Sequence, residues 1–181
     1  MNLALKTGKK IVPVALVKDY ENNVEYLDVG NPIDVRNLNL NIQDYYPGKE
    51  ENEKYRIKSM SSYVRDQMAT AVYHMMERHL APVKRSEYGD MGQYFVDFYV
   101  ADTFRKLNWK HDVFEAEYLT KKTDEEREYE AVVRTLSSLR LKKNVLEETN
   151  LNSREYIQNK IDLDKKNVAE NLRRYFYEKV V

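Results

Sequence analysis

The feature that most constrains the fold is a short, almost continuously apolar run near the start of the chain, residues 11–17 (IVPVALV). A run of β-branched and aliphatic residues is typical of a strand covered on both faces, as in the parallel sheets of α/β proteins. Pro13 has no amide hydrogen to donate, so it indicates a strand start, a sheet edge or a bulge. The end of a helix, closed by Gly8, is predicted before this run.

A second short strand is predicted over residues 24–29, and the sequence Gly30-Asn31-Pro32 closes it. Two strands alone bury too little surface to be stable. We therefore expect them to belong to a larger sheet whose other strands lie outside this chain. We also expect the first thirty residues to be the least stable part of the chain.

From about Glu51 the apolar residues recur at helical spacing, which predicts a long amphipathic helix reaching Pro82. A second helix is predicted over residues 91–109, and a third begins with a capping box at residues 123–126. Caps near residues 152–153 and 162–164 predict two short terminal helices. The predicted helical core comprises Met60, Val64, Met68, Val72, Phe95, Phe98, Phe104, Val132, Val133, Leu136 and Leu139.

The predicted fold class is thus an α/β remnant, made of two short strands and a helix end, followed by a mainly α-helical region. Residues 1–35 form the α/β piece, residues 36–53 form a linker or surface crossing, and residues 54–181 form the helical region. No apolar run approaches the roughly 20 residues that a membrane-spanning helix needs. Any membrane contact made by this chain is therefore expected to be peripheral.

Composition excludes several classes of function. The chain has 30 Lys and Arg against 30 Asp and Glu, and this balance argues against a nucleic-acid groove. It has no cysteine, which excludes a thiol nucleophile, and its 5 glycines are too scattered for a phosphate loop. An RNA-associated helical protein is the weakest alternative, and it depends on the basic, aromatic residues 173–177.

The histidines do not form a predicted metal site. His74 and His79 are five residues apart, whereas a zinc-binding helix places its two histidines four apart on one face. No metal site, no cofactor and no catalytic residue are predicted from the residues of this chain.

Residues 3–16 (LALKTGKKIVPVAL) closely resemble a segment of the 1-acyl-glycerol-3-phosphate acyltransferase family, where it lies late in the catalytic domain. A later segment is similar to the strand and Gly-x-Pro that follow in many members of the family. It is Val29-Gly30-Asn31-Pro32-Ile33. The resemblance implies that Ile11, Val12, Pro13 and Val14 line the acceptor and acyl site, with the proline shaping the strand.

Two motifs of that family are missing from the chain. Catalysis in the family depends on a His-x-x-x-x-Asp motif, in which the histidine acts as general base. The positions five residues after His74, His79 and His111 hold histidine, lysine and alanine. The phosphate-binding Pro-Glu-Gly-Thr-Arg block would fall before Met1. We therefore expect a chain that lacks the catalytic half, with Met1 as an internal methionine or the start of a truncated reading frame.

The resemblance implies a role in phospholipid biosynthesis, in the cytoplasm at the inner face of the membrane. The complete family member would transfer an acyl group from a thioester, acyl-CoA or acyl-carrier protein, to lysophosphatidate. This chain alone is predicted to be inactive.

The alternative is a non-catalytic helical interaction module whose strand at residues 11–17 pairs with a partner, since an exposed strand edge can pair with a strand of another protein.

Overall fold

Two antiparallel strands at the N-terminus are followed by a mainly helical region, which confirms the predicted fold class. The computed structural model describes residues 1–80, 90–100, 123–149 and 151–177. The chain divides into two compact units, Met1–Glu87 and Tyr88–Val181.

The first unit begins with helix α1, Asn2–Thr7, which ends at Gly8 in the left-handed conformation with a φ of 67°. The strands are β1, Val14–Asp19, which begins three residues later and ends two residues later than the predicted strand at residues 11–17, and β2, Val24–Val29, which has the predicted bounds. They pair antiparallel in a register that runs from Val14 opposite Val29 to Asp19 opposite Val24. Pro13 directly precedes β1, so of the three predicted places for it the structure shows the strand start.

The expectation that the strand is covered on both faces is wrong. Exposed and buried residues alternate along β1, with Ala15 and Val17 buried and Val14 and Leu16 exposed. One face packs against the long helix of this unit, and the other face has no cover among the described residues. The apolar run could not reveal this, because a run that is apolar at every position looks the same whether one or both faces are covered.

Residues 34–52 cross from the hairpin to the long helix through two short 3₁₀ turns, Val35–Asn37 and Ile42–Asp44. Helix α2, Glu53–Met75, begins at the side-chain cap of Asn52 and continues as a π-helical turn, Met76–Leu80. Pro82, where we predicted the end of this helix, lies outside the described residues. The core of the unit includes Ala4, Val35 and Met60.

The second unit contains helix α3, Met91–Tyr94, which continues as a π-helical segment, Phe95–Val100. Helix α4, Asp124–Glu148, packs against helix α5, Leu151–Tyr177. The predicted capping box is confirmed: the Thr123 side chain accepts from the Glu126 amide, and the Glu126 side chain accepts from the Thr123 amide.

The two predicted terminal helices are in fact one, since α5 runs through the supposed caps without interruption. Asp164 lies in the interior of this helix and is buried, where its carboxylate binds Lys142 Nζ of α4 at 2.8 Å. Aspartate is an unfavourable residue inside a helix. The ion pair with the neighbouring helix satisfies its charge, and no sequence-local pattern indicates that pair.

The predicted helical core is confirmed at most positions and wrong at two. Met68 is 41 % exposed and Phe98 is 46 % exposed, because helical spacing marks an apolar face but does not say which part of that face meets another element. Phe104 lies outside the described residues. The buried members are Met60, Val64, Phe95, Val132 and Leu139, and the half-buried members are Val72, Val133 and Leu136.

Candidate functional site

An open cleft of about 580 Å³ lies in the first unit, between the open end of the hairpin, opposite its turn, and helix α2. The hairpin side contributes Pro13 and Asp28, and residues 30–34 form the adjoining wall. The helix contributes a row of polar side chains at helical spacing. These are Tyr63, Gln67, Thr70 and His74.

Backbone hydrogen bonds hold the segment before β1 against the segment after β2. The amides of Ile11 and Ile33 each donate to the other residue's carbonyl, at 2.9 and 2.7 Å. The Gly30 amide donates to the Pro13 carbonyl at 2.9 Å. A Cβ atom on Gly30 would lie 2.8 Å from Cγ of Pro13, so only glycine allows the proline to pack here. The predicted site residue Pro13 is thereby fixed in the wall of the cleft.

The four residues assigned to a substrate site by resemblance lie on two different faces. Pro13 is buried and lines the cleft, and Ile11 packs against the core of the unit. Val12 and Val14 are 46 % and 44 % exposed. Because side chains alternate along an extended segment, the structure brings Ile11 and Pro13 to one side and Val12 and Val14 to the other. No single surface of the described residues contains all four.

The electrostatics of the cleft favour hydrogen-bonding groups over anions. Asp28 and Asp34 line it, and its lining contains no lysine or arginine. The Arg36 guanidinium, which donates to the Asp34 carboxylate, holds the pKa of that carboxyl below its usual value. Asp34 is thus a carboxylate at neutral pH. The cleft offers amide, hydroxyl, carboxylate and imidazole groups, which suit a ligand that carries hydroxyl groups.

A second surface feature is the outer face of the hairpin, which we define by Val14, Leu16, Leu27 and Val29. These side chains form two directly opposed cross-strand pairs, Val14 with Val29 and Leu16 with Leu27. They are between 44 % and 65 % exposed. The next pair on the same face is charged, with Lys18 Nζ 3.5 Å from Glu25 Oε1. A contiguous apolar patch with a charged margin is a common mark of an interaction surface.

The second unit contains a polar cluster that sequence reasoning missed. The Tyr156 hydroxyl donates to the Asp97 carboxylate, and Lys160 Nζ lies 3.6 Å from Asp97 Oδ1. Burial, reinforced by the bond to Asp97, raises the pKa of Tyr156. The hydrogen bond with Tyr156 raises the pKa of Lys160. Both groups therefore stay protonated at neutral pH and tie the segment Phe95–Val100 to α5.

The only available signal for this cluster was the spacing of Tyr156 and Lys160, which are four residues apart and share a helix face. The third member, Asp97, is 59 residues from Tyr156 in the sequence. The sequence therefore offers no reason to join it to them.

Within the described ranges, no three His, Asp or Glu side chains converge as ligands for a metal ion. The same part of the chain has no helix that is long and apolar enough to cross a membrane. His74 lines the cleft, and the His79 ring stacks on Tyr26 with 4.0 Å between ring centroids.

Comparisons of the chain with protein-family models, with curated proteins and with solved structures found no match in any of the three.

Proposed function

We propose that this chain is the C-terminal part of a glycerolipid acyltransferase and carries a helical extension. The complete protein would transfer an acyl group from acyl-CoA or acyl-carrier protein to the free hydroxyl of lysophosphatidate, in phospholipid biosynthesis. The general-base histidine and its aspartate would lie in the preceding catalytic half. This chain would supply one wall of the substrate site.

The observation that carries the proposal is the outer face of the hairpin, which none of the described residues covers. A soluble domain rarely leaves a contiguous apolar patch open unless the patch binds something. A hairpin with one covered face is what one piece of a larger α/β sheet would present. Val14 belongs both to this face and to the segment that resembles the family's substrate wall. The rest of the catalytic domain is therefore the proposed cover of this face.

The proposed location is the cytoplasm, at the inner face of the membrane, where the acceptor lipid is found. Contact with the membrane would be peripheral. An exposed apolar face is compatible with such contact, since burial of apolar side chains favours binding at a membrane surface.

The test begins with the DNA upstream of the Met1 codon. We expect an open frame that encodes Pro-Glu-Gly-Thr-Arg and, further back, His-x-x-x-x-Asp. The joined polypeptide should then transfer acyl groups from an acyl thioester to lysophosphatidate, and this chain alone should not.

Val14→Asp should abolish activity of the joined protein because it places a charge in the covered face. Tyr20→Asp, at an 83 % exposed turn residue, is the matched control and should leave activity unchanged.

Two results would contradict the proposal. One is a stop codon and a ribosome-binding site directly before Met1. The other is turnover by this chain alone that a substitution within it abolishes.

The second candidate is a non-catalytic interaction module, and the strand edges favour it. In the part of the chain that the structure describes, the sheet contains β1 and β2 alone, so each strand has one edge without a partner strand. Such an edge can accept a strand from another protein. This reading predicts a stable complex or a homodimer at micromolar concentration. A monodisperse monomer in size-exclusion chromatography with light scattering would count against it.

A further inference from the structure

The open cleft between the hairpin and α2 has the size of a small-molecule site. Its volume of about 580 Å³ lies within the range of about 300–1,000 Å³ that is usual for ligand pockets. Its hairpin wall is held in place, because the Gly30 amide donates to the Pro13 carbonyl and the Arg36 guanidinium donates to Asp34. A wall that is ordered before a ligand arrives loses little entropy on binding.

Several polar side chains of this lining are accessible to a ligand. Asp28, Tyr63 and Gln67 are half-buried, and Asn31 is exposed. None of these four side chains makes a hydrogen bond or an ion pair with another described residue. Asp28 comes from β2, where it is opposite the buried Ala15 on the face that packs against α2. Tyr63 and Gln67 come from α2, so both walls of the cleft offer polar groups.

The polar groups of the lining include both donors and acceptors. The Asn31 and Gln67 amides each donate through nitrogen and accept through oxygen, whereas the Asp28 carboxylate only accepts. The Thr70 hydroxyl donates to the Asp66 carbonyl at 2.9 Å, and its oxygen can still accept. A ligand hydroxyl matches both kinds of group, because it donates and accepts. An ammonium ion would leave the amide donors unmatched, and a phosphate would meet carboxylates in a lining without lysine or arginine.

We propose that this cleft binds a neutral, polyhydroxylated ligand of monosaccharide size. The Asp28 carboxylate and the Gln67 amide bind ligand hydroxyls from the two walls, and the C–H groups of the ligand pack against Pro13, Ile33 and Ala71. The ligand is neutral, unlike lysophosphatidate. The site therefore goes beyond the proposed acyl transfer and does not depend on it.

The test is NMR titration of the full 181-residue chain with glucose, galactose, mannose and myo-inositol. We expect at least one of these probes to bind saturably with a Kd of about 10 mM or lower, and to shift amide signals of residues 28–34 and 63–74. Asp28→Ala should weaken that binding at least ~tenfold, because it removes hydrogen bonds to a charged group. Gln67→Ala should weaken it at least ~threefold, because the lost hydrogen bonds are neutral. Glu25→Ala, on the outer face of β2, is the matched control, since Glu25 does not line the cleft.

Three comparison ligands separate this proposal from its rivals. Methylammonium tests for a cation site, glucose 6-phosphate tests for an anion site, and tetrahydropyran tests for a site that needs no hydroxyls. Each should bind at least ~tenfold more weakly than the best neutral probe.

The proposal is overturned if any of these three ligands comes within that factor of the best neutral probe. It is also overturned if no neutral probe binds with a Kd of about 10 mM or lower, or if the shifted signals lie outside the cleft. Unchanged binding by Asp28→Ala, shown by circular dichroism to be folded, would have the same consequence. If Asp28→Ala does not fold, Gln67→Ala decides in the same way.

Discussion

Asp34 illustrates how one side chain links the local backbone to the pH dependence of stability. Its carboxylate accepts from the backbone amide, Nε and Nη2 of Arg36 and from the side-chain amide of Asn37. The bond from the Arg36 side chain is the main reason that the pKa of Asp34 lies below its usual value. A hydrogen bond from the Asn22 side chain has the same effect on the pKa of Asp19.

A carboxyl whose folded-state pKa is lowered contributes stability above the pKa of the unfolded chain, about 3.9 for aspartate. That contribution is lost as the pH falls through the lower folded-state pKa. We therefore expect Asp34→Asn to lower stability at neutral pH and to reduce the loss of stability between neutral pH and acid. Urea unfolding across this range measures both effects, with Glu50→Gln, an exposed substitution, as the control. An unchanged pH profile in Asp34→Asn would contradict the prediction.

Ser59 gives a second prediction at the scale of the residue. Its buried hydroxyl lacks a partner among the described residues, and such a group costs about 1–3 kcal/mol. Ser59→Ala should therefore stabilise the unliganded protein, whereas Ser61→Ala removes a satisfied, exposed hydroxyl from the same helix.

The two substitutions share the same change in helix propensity, so their difference isolates the cost of the buried hydroxyl. We expect Ser59→Ala to be the more stable variant by about 1 kcal/mol in thermal or urea unfolding. If Ser59→Ala is less stable than Ser61→Ala, the hydroxyl of Ser59 makes a stabilising bond in the free protein.

At the scale of the element, the packing of α4 against α5 depends on a charge pair. Lys142 and Asp164 have side chains that are 11 % and 10 % exposed, and 2.8 Å separates Nζ from the carboxylate oxygen. Removing one partner of a buried pair leaves an uncompensated charge. The pair thus accounts for an aspartate in the middle of a 27-residue helix.

Lys142→Met should destabilise the protein by about 3–5 kcal/mol, because Asp164 would stay buried without its partner. The double variant Lys142→Met/Asp164→Leu should recover most of that loss, since an apolar pair can replace a buried ion pair. Lys165→Met is the control, because it breaks an exposed pair with Asp162 that is worth at most about 1 kcal/mol. A double variant as unstable as the single one would refute this account.

At the scale of the whole molecule, the two units differ in how fully the apolar side chains of their strands and helices are buried. The hairpin buries one face against α2, and its outer face is exposed. Helices α4 and α5 pack against each other, and Val132, Val145, Ile157 and Ile161 on these helices are buried. Local opening is easiest where few apolar contacts hold the backbone.

We therefore expect amides of β1 and β2 to exchange with deuterium faster than those in the middle of α4 and α5. Hydrogen exchange followed by mass spectrometry checks this, segment by segment. The turn residues 20–23 serve as the reference for rapid exchange. Protection of β1 equal to that of α4 would contradict the prediction that the first thirty residues are the least stable part of the chain.

The sequence was a good guide wherever a few neighbouring residues decide the conformation. Gly8 ends a helix, Pro13 precedes a strand and Thr123 begins a helix with its capping box, because each effect acts within one turn. The two short strands followed the pattern of apolar residues for the same reason. The resemblance of residues 3–16 to an acyltransferase segment also comes from the sequence alone and stays a prediction.

Tertiary structure decided everything that depends on which surfaces meet. It left Val12 and Val14 exposed, placed Pro13 in a cleft and kept Asp164 inside one long helix through a contact with Lys142. It also buried the Ser59 hydroxyl without a described partner. Such outcomes depend on the free energy of contacts between distant segments, and local propensity does not contain that term.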